Sequence, residues 1–161
     1  MSAKFVRSSP KLMILSAICG ILPDFDVLAF KFHIPYSSVF GHRGFSHSIL
    51  FAALMALIFT MAFFSFEKYE KKIRLRYFMV LFAAMLSHSV LDAFTDGGLG
   101  VAFLSPFIND RYFSPFQFIP VAPISPRKFF SDRGLSVILS EIVFVWFPLV
   151  FIFLLTKKKS H

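Results

Sequence analysis

Apolar positions gather into four runs, at 12–22, 48–66, 77–94 and 135–155, set apart by polar, basic or proline-rich stretches. At 1.5 Å of rise per residue, the last three are long enough to cross a hydrocarbon layer that needs about 20 helical residues. Pro148 is the one proline inside them. The first run stops at Pro23-Asp24 and makes about 16 Å of helix, roughly half a bilayer. It spans only if 5–11 joins it and Arg7 and Lys11 snorkel to the interface. The pattern predicts an all-α fold: a polytopic transmembrane helical bundle of about four segments, the first short or half-spanning, forming a single integral membrane domain over 1–161.

The basic residues orient that bundle. Lys68, Lys71, Lys72, Arg74 and Arg76 fill the 67–76 connection, Lys157 to Lys159 follow the last run, and Lys4, Arg7 and Lys11 precede the first. The positive-inside rule places all three clusters, and hence both termini, on the cytoplasmic side. Two outer loops remain, 24–47 and 95–134. The second is rich in Pro and Phe (Ser105-Pro106-Phe107, Ser114-Pro115-Phe116, Ile119-Pro120, Ala122-Pro123, Ser125-Pro126), and is long enough to suggest a lid or binding role folded over the bundle. A cleaved signal peptide is not expected, because no small-x-small site follows Leu22 and Ile18 is too bulky before Cys19 for a lipoprotein signal.

Composition agrees. Hydrophobic residues make up 57% of the 161 positions and charged residues 16%, with 25 phenylalanines and a mean hydropathy of +0.71. Usual values are about 45–50% and about 25%. A soluble domain of this size could not bury that apolar excess, the aromatic content excludes disorder, and the length excludes a multidomain enzyme. The net charge of +8 would suggest nucleic acid in a soluble protein; here the basic residues border apolar runs, so membrane orientation explains them and no nucleic-acid partner is expected. Cys19 stands alone, which rules out an intramolecular disulfide.

Against this background the ionisable residues stand out, since each costs a few kcal/mol at membrane depth. They are Asp24, Asp26, His47, His88, Asp92 and Glu141, with His42 just outside. His88 and Asp92, four apart, share one helix face, about 12 and 6 Å below a helix top near Asp96. Asp24 and Asp26 end the first run, His47 opens the second, and Glu141 lies about 9 Å down the fourth. In the four-crossing topology all reach one level of the outer leaflet. Such a set suits a divalent metal: imidazole with carboxylate favours zinc, manganese or iron, and the lack of cysteine ligands disfavours a structural zinc. One ion with outer hydrogen-bonding support, or two ions sharing a carboxylate, would both fit. Blander readings exist for each residue: a helix cap for Asp24, a solvated acid for Asp26, surface loop for His42, an interfacial helix start for His47, and interhelical hydrogen bonding for the His88–Asp92 pair and Glu141. His33 and His161 lack any such context.

From about 18 to 149 the chain resembles the membrane-bound metal-dependent hydrolases of the YdjM and YbcI type. The resemblance is carried by Leu22-Pro23-Asp24-Phe25-Asp26, by Gly41-His42-Arg43-Gly44-Phe45-Ser46-His47-Ser48, and by 86–98 with Ser87-His88-Ser89 and Asp92-Ala93-Phe94-Thr95-Asp96. Pro106-Phe107, Arg111 to Phe116 and Ser140-Glu141 through Trp146 add to it. It implies a bacterial cytoplasmic-membrane protein with a metal-assisted hydrolase activity, and puts Asp24, Asp26, His42, His47, His88 and Asp92 at the motif positions. Members of that family often begin with an additional apolar segment bearing a Thr-His pair, which this sequence lacks.

The expectation is therefore a zinc or manganese site facing the outer side, activating water to cleave an ester or phosphoester, with a lipid as one candidate substrate. His42, His47, His88, Asp92, Asp24 and Asp26 would be ligands, Glu141 or Asp96 the general base, and Arg43, Arg111 and Arg133 anchors for an anionic group. One rival is a small transporter with a proton relay, which would want acidic or histidine residues in the inner halves of the helices; 51–66 and 77–85 have none. The other is a non-catalytic scaffold whose polar cluster only fixes packing.

Overall fold

A computed structural model describes residues 9–64, 69–122, 131–148, 150 and 151. The chain divides into two compact units, 1–92 with 99–112, and 93–98 with 113–161. The described residues are helical or irregular, with two isolated β-bridges and no strand.

In the first unit, α1 (Pro10–Ile21) runs directly into a 3₁₀ helix, Leu22–Phe32. The sequence pattern ended this segment at Pro23-Asp24; the helix instead tightens there and continues. Pro23 falls in the first turn of the 3₁₀ helix, where a missing N–H costs little, while the Leu22 N–H still bonds Ile18 O and keeps the junction closed. The helix ends at His33, whose left-handed backbone (φ 57°) turns its N–H back onto Ala29 O and Phe30 O. Membrane-spanning length is thus gained on the C-terminal side: Pro10–Phe32 is 23 residues of apolar helix. Of the 5–11 extension weighed above, 5–8 lie outside the described residues.

A short 3₁₀ turn, Phe45–His47, leads into α2 (Ile49–Phe63), whose first turn is capped by the Ser48 side chain accepting from the Phe51 N–H. α3 is Lys71–Ala93. It begins six residues before the apolar run at 77, because Lys and Arg are good helix formers and the edge of an apolar run need not be a helix end. Lys71–Ala93 also has 23 residues and meets the length for crossing a membrane, whereas α2 has 15.

The three helices meet along narrow stripes. Leu12, Leu15 and Cys19 on α1, Ala52 and Ala56 on α2, and Tyr77, Leu81 and Met85 on α3 form a core closed by Phe64. The small alanines let backbones approach, as in membrane helix packing. Bulky residues such as Leu54, Leu57, Ile58 and Met61 point outward, which fits lipid surroundings. The 99–112 stretch belongs to this unit: Val101 and Tyr112 bridge antiparallel, Ile49 N–H bonds Phe103 O, and Ala102 N–H bonds Arg43 O.

In the second unit, Thr95 pairs in parallel with Ile119, and Phe118 packs its ring on Phe94 and Phe144. The 95–134 connection read as one outer loop is therefore shared between the two units, with 123–130 outside the described residues. α4 (Asp132–Glu141) passes into a π-helical turn, Ile142–Trp146. Pro148, two residues on, lacks an N–H and crowds the preceding carbonyls, a sufficient cause for widening there. The predicted 135–155 segment is helical at 135–148, 150 and 151; its other residues lie outside those described.

Candidate metal centre

Four chain segments of the first unit bring the ionisable residues together. The 3₁₀ helix supplies Asp24 and Asp26, the turn 41–44 supplies His42 and Arg43, the turn Phe45–His47 supplies Ser46 and His47, and one face of α3 supplies His88 and Asp92. An eleven-residue 3₁₀ helix is unusual, since such runs are mostly three or four residues long.

His47, fully buried, sits at the middle. Its Nε2 is 3.1 Å from Asp92 Oδ2 and 3.7 Å from Asp24 Oδ1, and His88 Nε2 is 3.3 Å from Asp24 Oδ1 and 3.8 Å from Asp92 Oδ2. The four ligand atoms all lie within 4.8 Å of one another. Despite these approaches, both Nε2 atoms are buried without an aligned hydrogen bond. A tetrahedron with bonds of about 2.0–2.1 Å has edges of about 3.4 Å, and the four separations bracket that value. Nitrogens that converge with carboxylate oxygens at such spacing, yet are not hydrogen-bonded to them, fit a shared cation.

Behind this quartet stands Asp26. Its Oδ1 accepts from His42 Nδ1 at 2.5 Å, and its Oδ2 accepts from the Arg43 N–H at 3.0 Å and from the Ser46 hydroxyl. His47 Nδ1 lies 3.0 Å from Ser46 Oγ and 3.1 Å from Asp26 Oδ2. A proton on Nδ1 is thereby held toward Ser46 and Asp26, with Nε2 facing His88, Asp24 and Asp92. Asp24, Asp26 and His42 also form a second group within 4.8 Å, so Asp24 is common to both sets.

Arg43 locks the arrangement from a left-handed backbone (φ 59°), an uncommon state outside glycine. Its Nη2 reaches Asp92 Oδ1 at 3.1 Å and its Nη1 the Asp92 carbonyl at 3.3 Å. The turn that carries it is tight: a Cβ on Gly41 would stand 2.3 Å from Pro35 O, and one on Gly44 2.3 Å from Val39 O. Arg111 clamps the same turn, donating to the carbonyls of His42 (3.0 Å), Tyr36 (2.8 Å), Ser38 (3.2 Å) and Gly100 (3.4 Å).

Burial alone would favour a neutral His47 ring, but the carboxylates of Asp24, Asp26 and Asp92 outweigh it and push His47 up to about 10. The cage attracts positive charge.

Among the residues singled out from sequence, Asp24, Asp26, His42, His47, His88 and Asp92 thus fall in one cluster. Arg43 and Arg111 turn toward acceptors of the protein itself. Asp96, Arg133 and Glu141 lie in the second unit and in neither ligand group: Asp96 accepts the Val121 N–H at 2.7 Å, Arg133 is exposed in the first turn of α4, and Glu141 is exposed at its end. Sequence reasoning passed over Ser46 as a link and Gly41 and Gly44 as close-approach points; their only signal was adjacency to His42 and His47 in one short motif.

Membrane-length helices, lipid-suited outer faces and a buried His/Asp cluster define an integral membrane protein with a possible metal-binding centre. The chain belongs to the YdjM inner membrane protein family, which matches residues 1–159. It is 41% identical over 139 residues to the inner membrane protein YbcI of Escherichia coli (strain K12), covering 86% of this chain and 79% of that relative. The resemblance read from the motifs is thereby borne out. No solved structure matches the chain.

Proposed function

We propose that Asp24, His47, His88 and Asp92 hold one divalent cation, zinc or manganese, and that the protein is a membrane-bound metal-dependent hydrolase of an ester or phosphoester. The observation that carries this reading is the pair of buried Nε2 atoms, unaligned for hydrogen bonding, set at coordination-edge distances from two carboxylate oxygens. Two nitrogens and two oxygens suit either metal. A catalytic metal site keeps a position open to water or substrate. Asp24 marks the open side, its side chain 47% exposed while those of His47, His88 and Asp92 are 0%, 20% and 16% exposed.

When bound, a divalent ion would acidify a water molecule and polarise the scissile group. The chain's own residues do the rest. Asp26, through Ser46 and directly, holds the His47 proton on Nδ1 and so keeps Nε2 available. Arg43 fixes the Asp92 carboxylate and offsets part of the cluster's negative charge. The carboxylate oxygen of Asp24 outside the ligand set, on the more exposed side, would accept a proton. Asp96 and Glu141 are assigned no step, and Arg43 and Arg111 have structural duties in place of anchoring substrate.

Elemental analysis of detergent-purified protein tests the binding half: wild type should carry about one equivalent, and His88→Ala and Asp92→Ala should lose it. Metal-dependent turnover on a panel of lipid esters and phosphoesters, abolished by a chelator, tests the other half. A His88→Ala protein that is less stable but carries wild-type metal would favour the packing-scaffold reading instead.

A further inference from the structure

At the other end of the first unit, α1 and α3 leave an open groove of about 860 Å³, within the range of about 300–1,000 Å³ typical of ligand clefts. Leu12, Met13 and Ser16 line one side, Met79 and Val80 the other, and Arg76 stands at the rim. Tyr77, on the same wall, precedes His88 by eleven positions along α3, about 16 Å of helix, so the groove is separate from the His/Asp cluster.

Two features say what fills it. The walls are apolar in a protein of an inner-membrane family, on helices whose outer faces are apolar and exposed. Arg76 lies one helical turn after Lys72, so both cations share a face of α3 just inside its N-terminal end. Both are exposed, and neither forms a hydrogen bond or ion pair with a described residue. Five residues into a membrane helix, a guanidinium reaches the head-group level by snorkelling along its own stem. A cleft with an apolar floor and two exposed cations on one wall is complementary to a phospholipid that carries net negative charge, its acyl chain along Met13, Ser16 and Val80 and its phosphate against Arg76 and Lys72.

We propose that this α1–α3 groove is a binding site for an anionic phospholipid, held by Arg76 and Lys72 at the phosphate and by the groove walls at the acyl chain.

Native mass spectrometry of the full chain from detergent, titrated with phosphatidylglycerol or with phosphatidylcholine of the same acyl chains, tests it. Wild type should retain the anionic lipid at least fivefold better. The double variant K72Q/R76Q should lose that preference, Val80→Trp should reduce retention of both lipids by filling the groove, and Lys31→Gln, which removes an exposed charge outside the groove, should change neither. Gel filtration and thermal unfolding identify any variant that misfolds, and Arg76→Lys, which keeps the charge, should then keep most of the preference. Equal retention of the two lipids by wild type, or a preference that survives K72Q/R76Q in a folded protein, overturns the proposal.

Discussion

Replacing Asp26 by Asn separates a ligand from a residue that positions one. Asp26 receives His42 Nδ1 at 2.5 Å, the Arg43 N–H at 3.0 Å and the Ser46 hydroxyl, and lies 3.1 Å from His47 Nδ1. Asparagine keeps one acceptor oxygen and turns an NH₂ toward the other partners. The least costly placement points the amide at His42, whose ring then switches tautomer to accept, and keeps the carbonyl for Arg43 and Ser46. Folding loses the gain of a charged over a neutral hydrogen bond, up to about 1.5 kcal/mol from typical values of 1.5–3 and 0.5–1.5. On the proposed site, a bound metal would lose the carboxylate that makes His47 more basic, a change that in other sites weakens affinity about 10–100-fold, or about 1.4–2.7 kcal/mol. Asp24→Asn removes a ligand atom itself and should cost more. The assay is chelator competition with zinc or manganese on the purified, folded variants, with thermal unfolding alongside. Two results would refute the reasoning: Asp26→Asn binding metal as well as wild type, or losing it as completely as Asp24→Asn does. The second would make Asp26 a ligand of a two-ion centre built on Asp24, Asp26 and His42.

Three further outcomes follow. Because three carboxylates push His47 from its ordinary 6.5 up to about 10, the metal-free fold holds an imidazolium whose stabilisation is fully present below about 6.5 and is lost as pH rises through about 10. An ion must displace that proton, so the melting-temperature gain on adding metal should grow from pH 6 to pH 9, and a gain that is flat or shrinks would count against the site. Gly44→Ala sets a Cβ 2.3 Å from a backbone carbonyl and should lower stability by about 1–3 kcal/mol or more, whereas Gly20→Ala meets nothing nearer than Ala84 O at 4.0 Å inside α1 and should be neutral or stabilising by about 0.5–1 kcal/mol; paired thermal melts decide it. Arg111→Lys keeps the charge but lacks the fork that reaches four carbonyls, so metal affinity and melting temperature should both fall, most simply seen by chelator competition on the folded fraction.

The helices were legible in the sequence to the extent that apolar content marks lipid-facing surface. That signal located the segments at 48–66 and 77–94, but it is blind to helix in polar residues, so the start of α3 at Lys71 was missed by six positions. It was also misled at Pro23. Proline stops an α-helix in its interior, but at a change from α to 3₁₀ geometry it occupies a first turn, and no local pattern distinguishes the two cases. The divided fate of 95–134 was equally unreadable, because Val101 with Tyr112 and Thr95 with Ile119 are single backbone bridges that leave no periodicity.

The cluster was legible for a different reason. An ionisable side chain in an apolar run carries a cost that sequence alone reveals, and for that reason His88, Asp92, His47, Asp24 and Asp26 all stand out in the sequence. Cost identifies membership but not rank. Whether a carboxylate faces the common point or stands behind a histidine depends on angular position within the helix that carries it. At about 100° per residue in an α-helix, Asp24 and Asp26 would lie about 160° apart around the axis; at about 120° in a 3₁₀ helix they lie about 120° apart. The tighter winding lets Asp24 address Nε2 of His47 and His88 while Asp26 addresses Nδ1 of His42 and His47. The same unusual helix that hid the length of the first segment therefore decides which aspartate faces the Nε2 atoms of His47 and His88 and which one faces the Nδ1 atoms of His42 and His47.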